Sequence, residues 1–250
     1  MPEKQTIKGT VSDTPIDIYY YPSKKPTSAV AVVTKGMYGV FDPDQAKDKV
    51  CRLTKRLVDT GTSHVVVHNS SRVFSYGRGA DYGHRQKAFL GKTFNDEFED
   101  LKTVIQTTIG ESADVFGVSH SPNIYLHGTS LGATLSALAT KDFSIQKLSL
   151  CAPPMGTNGS DKPLLSTFPD SNILKKTLGT YDGELLVFRG EADEVVPEES
   201  VRQAYKAANR ANRTYKEIPE VNHNFSEKNG KESSETPTLF TETVFDFFQN

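Results

Sequence analysis

Asn123-Ile124-Tyr125-Leu126-His127-Gly128-Thr129-Ser130-Leu131-Gly132 joins a short apolar run to a serine flanked by two glycines. Residues 123–127 have the length and apolar content of a buried strand. Residues 131–140 carry Leu131, Leu135 and Leu138 on one helical stripe. A strand that runs through a glycine-bounded serine into a helix makes a sharp turn. That turn exposes the hydroxyl, and the glycines let the helix pack close. The helix N-terminus then aims backbone N–H groups at charge developing beside the hydroxyl, with Leu131 N–H the natural donor. With 18 glycines in 250 residues the pentapeptide alone is a weak signal, so its context decides.

On the N-terminal side, 6–11, 16–21 and 28–34 read as strands, the first two as a hairpin turned at Asp13-Thr14-Pro15. Residues 44–59 follow as a helix with Ala46, Val50, Leu53 and Leu57 inward and Gly61 as its stop. A short apolar strand covers 64–68, and a polar, glycine-bearing loop covers 70–92. Thr93 is placed to cap a helix with Phe94, Phe98, Leu101, Ile105 and Ile109 on one face. On the C-terminal side, strands are expected over 147–152, 184–189 and 214–218. Helices are expected over 197–211 and after Thr236-Pro237, a cap and a first-turn proline. The stretch 153–182 reads as an irregular, lid-like segment, long for a connection and too short for a cap domain. This order predicts an α/β fold: one domain, 1–250, built on a mostly parallel central sheet with helices on both faces.

Ligands in such sheets bind beyond the carboxyl ends of the strands. Three candidates fall there: Ser130, Asp193 in Arg189-Gly190-Glu191-Ala192-Asp193-Glu194-Val195-Val196-Pro197, and His223 in Val221-Asn222-His223-Asn224-Phe225. A serine hydroxyl needs a base to become a nucleophile near neutral pH, and a neutral imidazole serves. A carboxylate behind the imidazole fixes its tautomer and stabilises the imidazolium. Glu194 is a neighbouring rival to Asp193, and five other histidines compete with His223.

On these residues the chain resembles the α/β-hydrolase superfamily over nearly its whole length. Gly128-Thr129-Ser130-Leu131-Gly132 is similar to the family's G-x-S-x-G turn, the Gly190-to-Pro197 segment to its acid loop, and Asn222-His223-Asn224-Phe225 to its histidine loop. The chain order Ser, Asp, His is also the family's. The resemblance implies an α/β-hydrolase fold with Ser130 as nucleophile, Asp193 as acid and His223 as base. It implies an oxyanion hole from Leu131 N–H and a second donor after the third strand. That loop reads Thr34-Lys35-Gly36-Met37-Tyr38-Gly39, which makes Met37 N–H the match and puts Lys35 where relatives carry histidine. The implied activity is hydrolysis of a carboxylic ester or thioester through an acyl-enzyme. Amidase, peptidase and acyltransferase chemistry run on the same triad, and a non-catalytic hydrolase-like binding protein is the reading from another class.

Tyr38, Phe74 and Met155 are candidate substrate-lining residues, each equally at home in core or rim packing. The composition, 36% hydrophobic and 24% charged, suits a soluble globular protein. A net charge of −2 provides no global positive field for nucleic acid. No apolar run reaches the roughly 20 residues of a membrane helix, and no leader is evident, so a cytoplasmic protein is expected. Two cysteines are too few for a disulfide framework. No histidine, cysteine or carboxylate cluster has metal-ligand spacing, and no phosphate-binding glycine loop opens a helix, so neither metal nor cofactor is expected. The expected partner is a small-molecule acyl substrate.

Overall fold

The computed structural model describes residues 2–10, 15–37, 39–71, 91–118, 121–157, 163–225 and 236–250. Its strands are β1 (Glu3–Lys8), β2 (Pro15–Tyr21), β3 (Ala29–Thr34), β4 (His64–Asn69), β5 (Asn123–Thr129), β6 (Lys147–Cys151), β7 (Glu184–Gly190) and β8 (Asn212–Ile218). They form one sheet in the order β1-β2-β4-β3-β5-β6-β7-β8. β1 pairs antiparallel with β2, and β2 antiparallel with β4, while the remaining six strands run parallel.

Seven helices accompany it among the described residues: α1 (Lys49–Thr60), α2 (Phe94–Phe116), α3 (Leu131–Ala139), α4 (Pro163–Ser166), α5 (Ser171–Thr180), α6 (Glu198–Ala207) and α7 (Thr236–Gln249). α1 and α7 pack together on one face, and α2, α3, α5 and α6 form a continuous layer on the other. Covered on both sides, Ala29–Thr34 and His64–Asn69 are buried at every position. Their valines read as unbroken apolar runs because neither face meets water. Each fully buried valine contributes about 1.5–3 kcal/mol relative to exposure. At the far edge β8 alternates exposed with half-buried residues until Ile218, as a strand with one open side must.

Several boundaries differ from the sequence reading. The first strand begins at Glu3 and pairs Lys8 with Pro15, three residues earlier than expected. α1 starts at Lys49 rather than at 44, because the Asp48 carboxylate accepts the N–H groups of Val50 and Cys51 and so ends the turns before it. Thr93 caps α2 as expected, through a reciprocal box with Asp96. Residues 171–180, read as irregular, form α5. Asp170 caps it, and Leu174 and Leu178, one turn apart, are buried.

Candidate active site

β5 ends in a turn built for close approach. A Cβ on Gly128 would sit 2.2 Å from Gly132 O, and one on Gly132 would sit 2.6 Å from the Thr34 and Lys35 carbonyls. Neither position admits a side chain, so β5, β3 and the start of α3 meet backbone to backbone. Ser130, at the turn, has φ 53° and ψ −122°, a conformation that costs a non-glycine residue about 1–3 kcal/mol. Its N–H is held by Cys151 O at 2.8 Å, and its C=O accepts from Ala133 N at 2.8 Å. Ser130 Oγ makes no hydrogen bond among the described residues, and Leu131 N–H is one of the first-turn donors a helix leaves without an internal acceptor.

Two strands away, the acid and histidine loops are stitched together. Glu191 N donates to Ile218 O at 2.8 Å and Ala192 N to Val221 O at 3.0 Å. Asp193 is buried. Its Oδ1 accepts from Val195 N at 2.9 Å and Val196 N at 3.0 Å, and its Oδ2 lies 2.7 Å from His223 Nδ1. Arg189 Nη2 holds the Asp193 carbonyl at 3.0 Å. Burial alone would push the Asp193 carboxyl upward. The His223 imidazole and the two backbone N–H groups outweigh it and hold the pKa below the usual carboxylate range. An ionised Asp193 can only accept, so His223 Nδ1 is the donor of this bond, and in the neutral form of the ring Nε2 is the acceptor. Glu194 is exposed and takes no part in this pairing.

The loop after β3 lies against the serine. A Cβ on Gly36 would be 3.3 Å from Ser130 Cβ and 3.9 Å from Ser130 Oγ. Lys35 turns sideways. Its Nζ donates to Val40 O at 3.0 Å and to Asp48 Oδ2 at 3.1 Å, and lies 5.9 Å from the centroid of the Phe41 ring. The lysine thus closes the loop on itself and ties it to the start of α1.

No protein-family model matches the sequence, and no curated protein does. Solved structures do resemble it. Over 98% of this chain and 93% of the other, it superposes on a propionate-bound thermophilic esterase of Thermogutta terrifontis at TM-score 0.70 and 17% identity. The esterase domain of a Rhodothermus marinus protein matches at TM-score 0.65 and 15% identity, covering 100% and 98%. A serine hydrolase of Xanthomonas campestris described as lacking a lid matches at TM-score 0.59 and 21% identity, covering 98% and 94%. The chain has the α/β-hydrolase fold.

Within that hydrolase fold the three other histidines among the described residues, His64, His68 and His127, are engaged elsewhere. His127 is fully buried between Ser149 Oγ at 3.0 Å and Thr129 Oγ1 at 3.3 Å. Burial and the nearby Lys49 charge push its pKa down to about 3. His64 contacts Ser23 N and Thr27 O, and His68 contacts Thr34 Oγ1. His84 and His120 lie outside the described residues, as do the candidate lining residues Tyr38 and Phe74. Met155 is 4% exposed, its N–H bound by Ser200 Oγ at 2.8 Å, while Met37 is half-buried against the core. The structure adds Asp48 and Lys49, which no motif singles out. Lys49 Nζ reaches Asn224 O, one residue after His223.

Proposed function

We propose that this α/β-hydrolase-fold chain is a serine hydrolase that cleaves a carboxylic ester or thioester of a small molecule through an acyl-enzyme on Ser130. The observation that carries this reading is the 2.7 Å bond between His223 and a buried, doubly N–H-bound Asp193, in the same sheet whose β5 delivers a strained serine at a helix N-terminus. His223 Nε2 takes the Ser130 proton while Oγ attacks the carbonyl carbon. The oxyanion forms against Leu131 N–H and Met37 N–H, the second favoured by the packing of Gly36 on Ser130. The tetrahedral intermediate collapses, and His223 protonates the departing alkoxide or thiolate. Water, deprotonated by the same imidazole, then releases the acid and frees the serine. The loose Ser130 hydroxyl fits a resting enzyme, since catalytic hydrogen bonds often tighten only with substrate bound.

Among the described residues no helix is long and apolar enough to cross a membrane. Cys51 and Cys151 are both free thiols, which suits a reducing, cytoplasmic setting.

A panel of p-nitrophenyl and thiol esters of graded acyl length, assayed with wild type and Ser130→Ala, tests the proposal. Wild type should turn over short esters, and Ser130→Ala should lose about 10⁶ in kcat, the scale for removing a triad nucleophile. Equal turnover by the two proteins would end the assignment.

A further inference from the structure

The two loops that carry the proposed chemistry are separated in sequence by most of the chain, yet both are tied to the first turn of α1. Asp48 divides its carboxylate between two partners. Oδ1 accepts Val50 N at 2.8 Å and so starts the helix, while Oδ2 accepts Lys35 Nζ at 3.1 Å and so fixes the loop beside Ser130. The next residue faces the other way. Lys49 Nζ donates to Asn224 O at 3.2 Å and lies 5.2 Å and 5.0 Å from the centroids of the Phe225 and Phe240 rings.

Phe225 closes the histidine loop with φ 59°, a left-handed conformation for a bulky residue, and its N–H bonds back to Asn222 O at 3.0 Å. Such a turn persists only where its surroundings hold it. Here the surroundings are the rings of Phe188 and Phe240, both edge-on to Phe225, and the Lys49 ammonium. The Lys49 side chain is half-buried there, and burial lowers the pKa of its ammonium.

We propose that Asp48 and Lys49 form a two-headed clamp at the start of α1, which holds the oxyanion loop and the His223 loop at one spacing. Lys49, Asp48 and Lys35 are then positioning residues. The inference rests on the serine-hydrolase reading for its catalytic consequence, though not for the clamp itself. The clamp also explains Lys35, which places no imidazole beside the oxyanion and instead anchors its loop on α1.

The experiment combines kinetics on a short p-nitrophenyl ester with proton NMR of the His223 Nδ1–H, using wild type, Lys49→Met, Lys35→Met, the double variant and Lys49→Arg. Each methionine variant should lower kcat by roughly 10- to 100-fold, the scale of a misplacement of up to about 1 Å, and leave KM nearly unchanged. The double variant should lose less than the product of the singles, because both act through one turn of helix. Lys49→Arg, which keeps the cation and its donors, should recover part of the lost kcat. The His223 signal should move in Lys35→Met as well as in Lys49→Met, although Lys35 makes its bonds in the other loop.

Unchanged kcat and an unmoved His223 signal in both single variants would overturn the clamp and leave the hydrolase reading standing. Should wild type hydrolyse no ester, the hydrolase reading fails, and the NMR decides the clamp alone: a moved signal supports it and an unmoved one refutes it. Should Lys49→Met fail to fold, Lys35→Met decides in the same way.

Discussion

Beyond the end of β4, Lys92 Nζ lies 2.8 Å from Glu97 Oε1, 2.8 Å from Asp100 Oδ2 and 3.0 Å from Ser71 Oγ. Beyond β7, β8 and β5 lie Asp193, His223 and Ser130, in that order. Both groups place charged or polar side chains at carboxyl ends of strands in the same sheet, and they differ in saturation. Around Asp100 the donors are complete: Thr10 N and Oγ1 reach Oδ1, and Ser71 N reaches Oδ2 at 2.6 Å. Burial would raise the Asp100 pKa, but Lys92 and these donors hold it low. Glu97 also takes Ser70 Oγ at 2.9 Å. At the other site the Asp193 side chain is equally buried and takes bonds from Val195 N, Val196 N and His223 Nδ1, but Ser130 Oγ has no bond among the described residues and the His223 side chain is 15% exposed. A buried charge by itself therefore does not mark a catalytic site. On the proposed serine-hydrolase reading, the mark is a saturated support, Asp193, behind an imidazole and a hydroxyl that act on substrate.

The contrast can be broken from either side. The largest effect is expected at the open site. Asp193→Asn should lower kcat by about 10⁴ through the wrong imidazole tautomer, measured by steady-state ester hydrolysis, with folding retained. Lys92→Met should do the reverse. It leaves two buried carboxylates without their cation and should cost about 3–5 kcal/mol in urea unfolding, with kcat of the folded protein unchanged. If Lys92→Met spared stability and abolished turnover, the division between the two groups would collapse.

His127 belongs with the saturated groups, and pH separates it from a working histidine. Its folded pKa is about 3 against an ordinary 6.5, so between those values the unfolded chain binds the proton and the folded chain does not. Its contribution is complete above pH 6.5. It declines as pH falls toward 3, by about 1.4 kcal/mol per pH unit. Urea titrations between about pH 6.5 and 4.5 should find a shallower dependence in His127→Leu than in wild type, and equal slopes would show that His127 contributes nothing to it. The smallest effect is expected for Gly36→Ala. Its new methyl would meet Ser130 Cβ at 3.3 Å and push the Met37 peptide by tenths of an ångström. A fall in kcat of about tenfold at constant KM would sharpen the oxyanion assignment.

The legible parts of this molecule are those written in local pattern. Gly128, Ser130 and Gly132 encode a strand-to-helix turn because no side chain fits at 128 or 132. The apolar runs at 29–34 and 64–69 announce central strands, and Thr93 with Asp96 announces a helix start. Asp193 and His223 sit at strand ends that the order of elements already implies. What stays hidden depends on partners remote in the chain. Lys49 and Asn224 are 175 residues apart, so a lysine on a polar turn gives no sign that it ends over two phenylalanine rings. Lys35 reads as a departure from a family pattern until Asp48, 13 residues on, supplies its acceptor. α5 escapes because its apolar side is narrow, resting on Leu174 and Leu178 beside the exposed Ile173.

The central claim is that Ser130 is the nucleophile, and a fluorophosphonate probe tests it without reference to any substrate. Stoichiometric labelling of wild type is expected, with the added mass on the peptide containing Ser130, sharply slowed labelling in His223→Ala and none in Ser130→Ala. Labelling that persists in Ser130→Ala, or a wild-type protein the probe never modifies, would contradict it.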